Sequence, residues 1–240
     1  MRFAHITRLF LILGMVLPVS AADWDWKVAP FLWAAGVDGD MVLGPVNSDF
    51  SVDFSDIADV LDGGVLLHLE AHQEDKAWLV DFVGLGLEPS GSFSPTGGST
   101  DADLDAIILE TAYLLKKPIP SGFRGLEFGL RYQNFDLSLE PFLLPAVKRE
   151  EGWLDGFVGY RFNTEINDDW KFDVRGNMGA GESDFAAELQ FNFAYQLKNG
   201  DSLALGYRWL DFDYDTTTPG GATFGLDTSF HGLIIGYVFD

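Results

Sequence analysis

The chain is dominated by segments in which apolar and polar residues alternate one by one. From Trp170 to Met178 every second residue is apolar or glycine, and the residues between them are charged or polar. The segments 126–133, 154–162 and 187–197 repeat this pattern. A period of two is typical of β-strands with one apolar and one polar face. We therefore expect an all-β fold.

Ten segments of the chain carry this pattern, and each is long enough to cross hydrocarbon as a tilted strand, which takes roughly 9–11 residues. They lie near 24–37, 63–74, 77–88, 103–116, 123–137, 151–164, 169–181, 184–198, 201–214 and 225–239. Eight or twelve strands stay open as alternatives, because two segments are weaker and 49–54 could add a hairpin. One turn of helix is predicted over 55–61, with Ser55 as its cap.

The connections between these segments alternate between short and long. The short ones are 73–76, 117–122, 165–168 and 198–201, and the long ones are 38–62, 89–102, 138–150 and 215–224, with 182–183 as a short exception. Short turns at one end and long loops at the other are typical of outer-membrane barrels. A closed barrel also satisfies every backbone group of strands in lipid. The pattern predicts a closed, antiparallel, up-and-down transmembrane β-barrel of about ten strands.

Aromatic residues cluster at the ends of the predicted strands, where a barrel in lipid carries its two girdles. The girdle at the short-turn end comprises Trp24, Trp26, Trp78, Tyr113, Tyr160, Phe162, Trp170, Tyr195, Tyr237 and Phe239. Nearer the long-loop end are Tyr132, Trp153, Trp209 and Phe230. The alternative is a soluble barrel that turns its apolar face inward around a ligand.

Composition narrows the classes of function. The chain has 37 Asp and Glu against 15 Lys and Arg, a net charge of -22, and no cysteine. The negative field disfavours binding of nucleic acid. The lack of cysteine excludes disulfides, thiolate zinc sites and thiol catalysis.

The first 22 residues have the features of a cleavable signal peptide. Arg2 and Arg8 form a positive region, and Leu9 to Leu17 form a short apolar run. Either Val19-Ser20-Ala21 or Ser20-Ala21-Ala22 supplies small residues for cleavage. We therefore divide the chain into a signal peptide, 1–22, and a barrel domain, 23–240. Export by this signal predicts a location in the cell outer membrane.

Four segments share a Gly-x-Arg/Val-aromatic form. They are Gly129-Leu130-Arg131-Tyr132, Gly159-Tyr160-Arg161-Phe162, Gly206-Tyr207-Arg208-Trp209 and Gly236-Tyr237-Val238-Phe239. With the signal peptide and the closing strand, they resemble small Gram-negative outer-membrane β-barrel proteins. The resemblance implies that the barrel-assembly machinery reads Tyr237 and Phe239, although this chain ends in Asp240 instead of an aromatic residue. Outer-membrane lipid and lipopolysaccharide are the other expected partners, and we expect a monomer.

The polar faces of the strands place charges of both signs in the lumen. They are Asp25, Lys27, His68, Glu70, His72, Asp81, Glu110, Glu127, Arg131, Asp155, Arg161, Lys171, Asp173, Arg175, Glu188 and Arg208. Opposite charges in a narrow lumen can pair across strands. We expect a filled, ion-paired interior and a structural or surface-interaction role. The alternative is a narrow pore for small solutes, lined by the same residues.

No cofactor is expected. His68, Glu70 and His72 share one strand face, but neighbours on that face are roughly 6–7 Å apart, too far for easy chelation. Hydrogen bonding in the lumen is the predicted role. The acids of the long connections, with the clusters 101–105 and 211–215, could instead bind Ca²⁺ or Mg²⁺ and bridge to lipopolysaccharide phosphates. Solvated loop acidity is the expected interpretation, and cation binding is the alternative.

An enzymatic role receives little support. Ser229 and His231 share a face of the last strand, and hairpin pairing sets Asp211 beside Ser229. A lipid hydrolase would need an acid that orients the histidine, and Asp211 is on the wrong side for that. We therefore expect no catalytic residues. The apolar loop 142–147 is predicted to fold over the barrel mouth, with insertion at the membrane interface or contact with a partner as alternatives.

Overall fold

The structure is a computed structural model that describes residues 24–43, 46–87, 100–141, 147–217 and 223–240. The predicted signal peptide and most of the apolar loop, 142–146, lie outside these residues. The elements are β1 (Asp25–Leu43), β2 (Val46–Val52), α1 (Phe54–Val60), β3 (Leu61–His72), β4 (Lys76–Leu87), β5 (Thr100–Ile119), β6 (Gly122–Pro141), β7 (Val147–Glu165), β8 (Trp170–Gly181), β9 (Phe185–Gln196), β10 (Ser202–Thr217) and β11 (Thr223–Val238). No helix in the described ranges is long and apolar enough to cross a membrane.

The strands form a closed antiparallel barrel. From β3 to β11 each strand pairs with the next, β3 pairs with β1, and β11 closes the wall by pairing with β1. Ten strands make the wall, and β2 is an extra strand paired with the end of β1. The predicted up-and-down barrel of ten strands is confirmed. β2 forms the additional hairpin with the end of β1, and α1 is the predicted helical turn. α1 begins at Phe54, so Ser55 lies inside the helix and is not its cap, which is a correction to the prediction.

The outer face of the wall is apolar and the inner face carries charged residues, as a barrel in a membrane requires. Leu130, Val158 and Met178 point outward and are exposed by 50%, 47% and 61%. Arg131 and Glu127, on the alternate positions of β6, point inward and are fully buried. A continuous apolar exterior around a charged interior is the arrangement of a transmembrane barrel. The soluble-barrel alternative, which needs the apolar face inward, is therefore wrong.

The strands extend beyond the apolar band at the long-loop end. β5 and β6 each have 20 residues and β7 has 19, about twice the 9–11 needed to span hydrocarbon. As a result, Asp215, which was predicted to begin a long loop, lies on β10 together with Asp211 and Asp213.

Outward aromatic side chains ring the short-turn end. Trp26, Trp170 and Tyr195 are more than one-third exposed, and Trp170 contacts Tyr195 with ring centroids 5.1 Å apart. Two predictions for the opposite girdle are wrong. Trp153 is 1% exposed and faces the lumen, and Phe230 packs against the same internal cluster. Trp153 lies two residues from the inward-facing Asp155, so the strand period itself turns it inward.

The wall is not equally paired at every point. β1 pairs with β3 only from Asp25↔His72 to Pro30↔Leu67. Above Pro30, that is toward the long-loop end, β1 continues to pair with β11 as far as Leu43. β3 likewise continues to pair with β4 up to Leu61. The two strands therefore diverge above Pro30, and we call this divergence the seam.

The conformations of the turns at the short-turn end are fixed by residues within the turns themselves. Gly200 has a φ of 100°, a left-handed conformation that glycine adopts without steric cost. In the β7–β8 turn, the side-chain oxygen of Asn167 accepts hydrogen bonds from the backbone N–H groups of Asp169 and Trp170, each at 3.0 Å. Such contacts fix the tight connections that set the strand register.

Candidate functional site in the lumen

The lumen is divided into three regions along its axis. The vestibule, at the short-turn end, is a cavity whose polar wall includes His68, Glu70, His72, Arg161 and Asp173. The charge layer lies above it and consists of Asp81, Glu110, Glu127, Arg131, Arg175, Asn177, Glu188 and Arg208. The aromatic layer fills the upper lumen and consists of Trp33, Phe135, Trp153, Phe212, Tyr214, Phe224 and Phe230.

Arg131 joins three strands in the charge layer. Its Nε donates to Glu110 Oε2 at 2.8 Å, and its Nη2 donates to Asn177 Oδ1 at 2.8 Å and to Glu188 Oε2 at 2.7 Å. The ring of Phe157 lies 5.2 Å from the guanidinium carbon, which adds a cation–π contact. One side chain of β6 is thus bonded to β5, β8 and β9.

Arg175 makes a second set of contacts with the same acids. Its Nε donates to Glu127 Oε1 at 2.8 Å, and its Nη2 donates to Glu127 and to Glu110. Its Nη1 lies 3.5 Å from Glu188 Oε1. Glu110 and Glu188 therefore each contact both Arg131 and Arg175. Because every charge in this group shares a partner, the group acts as one network.

Arg208 completes the charge layer from β10. Its Nη1 donates to Asp81 Oδ1 at 3.0 Å, and its Nε lies 3.1 Å from Glu188 Oε1, an ion-pair distance without hydrogen-bond alignment. The ring of Trp33 lies 5.0 Å from its guanidinium carbon. The network thus extends from β4 to β10 and crosses the lumen.

Asp155 is held outside this network. It accepts hydrogen bonds from the backbone N–H of Ser183 at 2.9 Å and from the Ser183 hydroxyl at 2.7 Å. Its partner is therefore the short β8–β9 connection instead of an arginine. The carboxylate fixes that turn at the upper end of the wall.

The vestibule is organised around the carboxylate of Glu70. Glu70 accepts a hydrogen bond from Arg161 Nη1 at 2.5 Å, and its two oxygens lie 2.7 Å from His68 Nε2 and 2.5 Å from His72 Nε2. Arg161 also donates from Nε to Asp173 at 2.9 Å. One acid thus occupies the space between the two histidines, so this face serves hydrogen bonding.

His68 connects the vestibule to the charge layer. Its Nδ1 lies 3.1 Å from Asp81 Oδ2, while Asp81 binds Arg208 through its other oxygen. The cavity measures about 340 Å³. Ala29, Phe31 and Val238 also line it, and Ala29 is paired with His68. Within the described ranges, no three His, Asp or Glu side chains are placed to hold a metal ion.

The remaining lumen candidates lie at the short-turn rim. Lys27 Nζ is 2.5 Å from Asp240 Oδ1, and Lys171 Nζ is 3.9 Å from Glu165 Oε1. Asp25 is exposed. These residues stand apart from the buried network.

The aromatic layer closes the lumen above the charges, and sequence reasoning missed it. Trp153 stacks on Tyr214 with centroids 4.2 Å apart and contacts Phe135 at 5.5 Å. Phe230 joins this group through Phe135 at 6.3 Å and contacts Trp33 at 6.2 Å. Strand parity is the signal that could have found these residues, because they alternate with outward positions.

Several polar atoms inside the upper lumen have no partner. Both amide atoms of Gln133, Nε1 of Trp153 and Nε1 of Trp33 are buried without a hydrogen bond. Gln133 is fully buried and is paired with Trp153 in the register of β6 and β7. Such groups are rare in protein interiors, because an unmade hydrogen bond is costly.

The outward serine and histidine do not form a catalytic chain. Ser229 Oγ accepts a hydrogen bond from Trp209 Nε1 at 2.6 Å. His231 has Asp38 Oδ2 2.8 Å from its Nε2 and the Tyr207 hydroxyl 3.1 Å from its Nδ1. Asp211 pairs with Ser229 in the register, as predicted, but the partners of His231 are other residues.

Comparisons with known proteins bear on the fold alone. No protein-family profile matches the chain, and no curated protein matches its sequence. The translocator domain of autotransporter NalP from Neisseria meningitidis is similar over 99% of this chain and 96% of its own, at 12% identity and a TM-score of 0.45. The transport unit of autotransporter AIDA-I from Escherichia coli covers 98% and 97%, at 8% identity and 0.46.

A FadL homologue of Pseudomonas aeruginosa is also similar, over 90% of each chain, at 8% identity and a TM-score of 0.36. Likeness at these levels carries no argument about what this chain does. Its strand pairing and the chemistry of its two faces identify it as a transmembrane β-barrel of the Gram-negative outer-membrane type.

Proposed function

We propose that this protein is an integral outer-membrane barrel that is closed along its axis and serves as a structural element presenting its long-loop end at the cell surface. The observation that carries the proposal is the buried network of Arg131, Arg175 and Arg208, which crosses the lumen below a packed aromatic layer. A water-filled path for ions would need these side chains to line the wall instead of meeting in the middle.

The size of the barrel supports a closed lumen. Ten strands enclose a narrow interior, whereas wide aqueous channels become natural near about 16 strands. Arg131 and Arg208 have no exposed surface, and Arg175 is 5% exposed. Charges buried to this degree are stable only when paired, so opening the lumen along its axis would break several ion pairs together.

The surface role follows from the charge at the long-loop end. Asp40, Asp213 and Asp227 lie on three adjacent strands, outward and above the apolar band. Carboxylates at this level attract the cations that accompany lipopolysaccharide phosphates. We propose lipopolysaccharide as the surface partner of this end.

Conductance in planar lipid bilayers tests the closed axis. We expect no steady single-channel current from the full chain. Arg175→Ala removes the side chain that joins Glu127 to Glu110 but leaves the aromatic layer in place, so it should stay silent. Arg175→Ala combined with Trp153→Ala opens both layers and should produce ion conduction. Lys198→Ala, in an exposed turn, is the matched control and should stay silent. A steady current in the parent protein that changes with Arg175→Ala would overturn the proposal in favour of a narrow pore.

Fractionation tests the location. After cell lysis, the protein should be recovered with outer membranes, and boiled and unboiled samples should migrate differently in electrophoresis. Release as a soluble periplasmic protein would contradict a membrane location.

A further inference from the structure

The seam between β1 and β3 opens the wall at the depth of the apolar band. Phe31 to Gly36 pair with β11 on one side of β1, but no strand pairs with them on the other side in the part of the chain that is described. The outward residues across the β1–β11 pairing at this level are Leu233 and Ile235, which are exposed by 53% and 55%. The seam therefore lies within the level of hydrocarbon.

The margins of the seam are apolar and open. Leu32 on β1 is 70% exposed, and Val65 on β3 is 58% exposed. A Cβ atom added at Gly63 would meet no atom within 4 Å. At the top of the seam, the end of β2 and the start of α1 lie against Gly36, because a Cβ there would be 3.3 Å from the Val52 carbonyl oxygen and 3.9 Å from the backbone nitrogen of Phe54. The opening is thus bounded above by β2 and by α1, which contacts β1, and it is uncrowded at Gly63 on the β3 margin.

The lumen behind the seam is apolar. Phe31 and Leu66 flank the divergence on its inner side, and both pack, as Phe230 does, against the buried cluster that contains Trp33. From Phe230 the aromatic contacts continue through Phe135 to Trp153. A continuous row of packed apolar side chains therefore leads from the seam to the opposite wall.

This row of side chains ends at polar groups that lack partners. The amide of Gln133 offers a donor and an acceptor, and the indole N–H of Trp153 offers a donor, all buried and unbonded. An apolar molecule that carries one hydroxyl or carboxyl group would satisfy these atoms while its chain replaces aromatic contacts.

From these observations we propose that the seam admits slender membrane-dissolved amphiphiles, such as long-chain alcohols, into the aromatic layer, and that Gln133 and Trp153 bind their polar end. Entry is sideways from the membrane and needs no opening of the charge layer. The inference is therefore independent of whether the barrel conducts ions.

Photolabelling of the full chain in lipid vesicles tests the proposal. The probe is an octanol that carries a diazirine, and mass spectrometry locates its adducts after illumination. We expect adducts on Trp33, Phe230 and Trp153, and excess unlabelled octanol should suppress them. Adducts confined to outward residues such as Leu32 and Leu233 would overturn the proposal.

Two glycine substitutions separate entry through the seam from entry elsewhere. Gly63→Trp places a large side chain at the margin of the seam. Gly156→Trp places the same side chain on β7, which is paired on both sides, and its glycine also has open space around it. After brief exposure, lumen labelling should fall about tenfold in Gly63→Trp, equivalent to about 1.4 kcal/mol on the entry barrier. It should be unchanged in Gly156→Trp.

Equal lumen labelling in the two variants would overturn the seam as the route. Heat-modifiable mobility verifies that both variants are folded.

Gln133→Leu separately tests whether Gln133 binds the polar end of the amphiphile. It should reduce lumen labelling by the alcohol probe but not by a diazirine alkane of the same length, and an equal effect on both probes would overturn the role of Gln133.

Discussion

Arg208 on β10 donates to Asp81 on β4 at 3.0 Å, although the two residues are 127 positions apart in the chain. Four pairings separate their strands around the shorter side of the barrel, through β11, β1 and β3. The contact can form only when the wall is closed. The contact is therefore a direct indicator of barrel closure. Both of its charged groups, the Arg208 guanidinium and the Asp81 carboxylate, are buried.

Replacing Asp81 should strongly destabilise the barrel. Asp81→Ala leaves the guanidinium of Arg208 in the lumen with one acid fewer, and it also removes a partner of His68. Removing one member of a buried pair costs about 3–5 kcal/mol, because the other charge stays uncompensated. Urea unfolding in lipid vesicles measures the change in the free energy of unfolding.

The double variant Asp81→Ala with Arg208→Met should recover a large part of that loss, since the guanidinium that has lost one of its two acids is then absent. Asp168→Ala, in an exposed turn, is the control and should change the free energy of unfolding by less than about 0.5 kcal/mol. If the double variant is less stable than Asp81→Ala alone, the cost does not come from an unpaired charge.

Much of this architecture follows from local pattern. The alternation from Trp170 to Met178 predicts a strand and its two faces, because the period of two is a property of extended backbone. The network does not follow in the same way. Which acid Arg208 meets depends on strand register and tilt around the whole barrel, and these are set by many turns together. The sequence predicts that Arg208 faces the lumen but not which acid it contacts.

The aromatic layer was missed for a different reason. Trp153 has the same parity as Asp155, so its inward direction could be predicted from the strand period. Its aromatic character and its position near a strand end favour an interfacial girdle instead, and the two signals conflict.

The seam could not be predicted from the sequence. It depends on where the pairing of β1 with β3 stops, and that pairing stops at Pro30, which has no N–H to donate. The proline alone does not show which strands separate there.

Replacing Gln133 with leucine should stabilise the protein in the absence of ligand. Both amide atoms of Gln133 are buried without partners, and leucine has a similar size and no polar atoms to satisfy. The expected gain is about 1–3 kcal/mol, the cost of a buried unsatisfied group. Thermal or urea unfolding measures it. Gln190→Leu, on the vestibule wall, is the control and should show no such gain. A loss of stability in Gln133→Leu would indicate that the amide has a partner in the apo protein.

Substitution of Gly200 should weaken the β9–β10 turn. Its φ of 100° is in the left-handed region, so Gly200→Ala should cost about 1–2 kcal/mol in the free energy of unfolding. Gly156→Ala, on extended backbone with open space, is the matched control and should be close to neutral. Equal effects of the two substitutions would show that the turn conformation carries no specific cost.

The outward acids above the apolar band should make stability depend on salt. Asp227 lies directly opposite Asp40 on β1 and Asp213 on β10. Like charges opposite each other across strands are destabilising by about 0.2–1 kcal/mol per pair. Asp227→Asn should therefore raise the free energy of unfolding at low ionic strength. The gain should fade near 1 M NaCl, where the screening length is about 3 Å. Millimolar Mg²⁺ should stabilise the parent more than the variant, since the variant has one carboxylate fewer at this level. A gain that persists unchanged at high salt would assign the effect to local packing instead of charge.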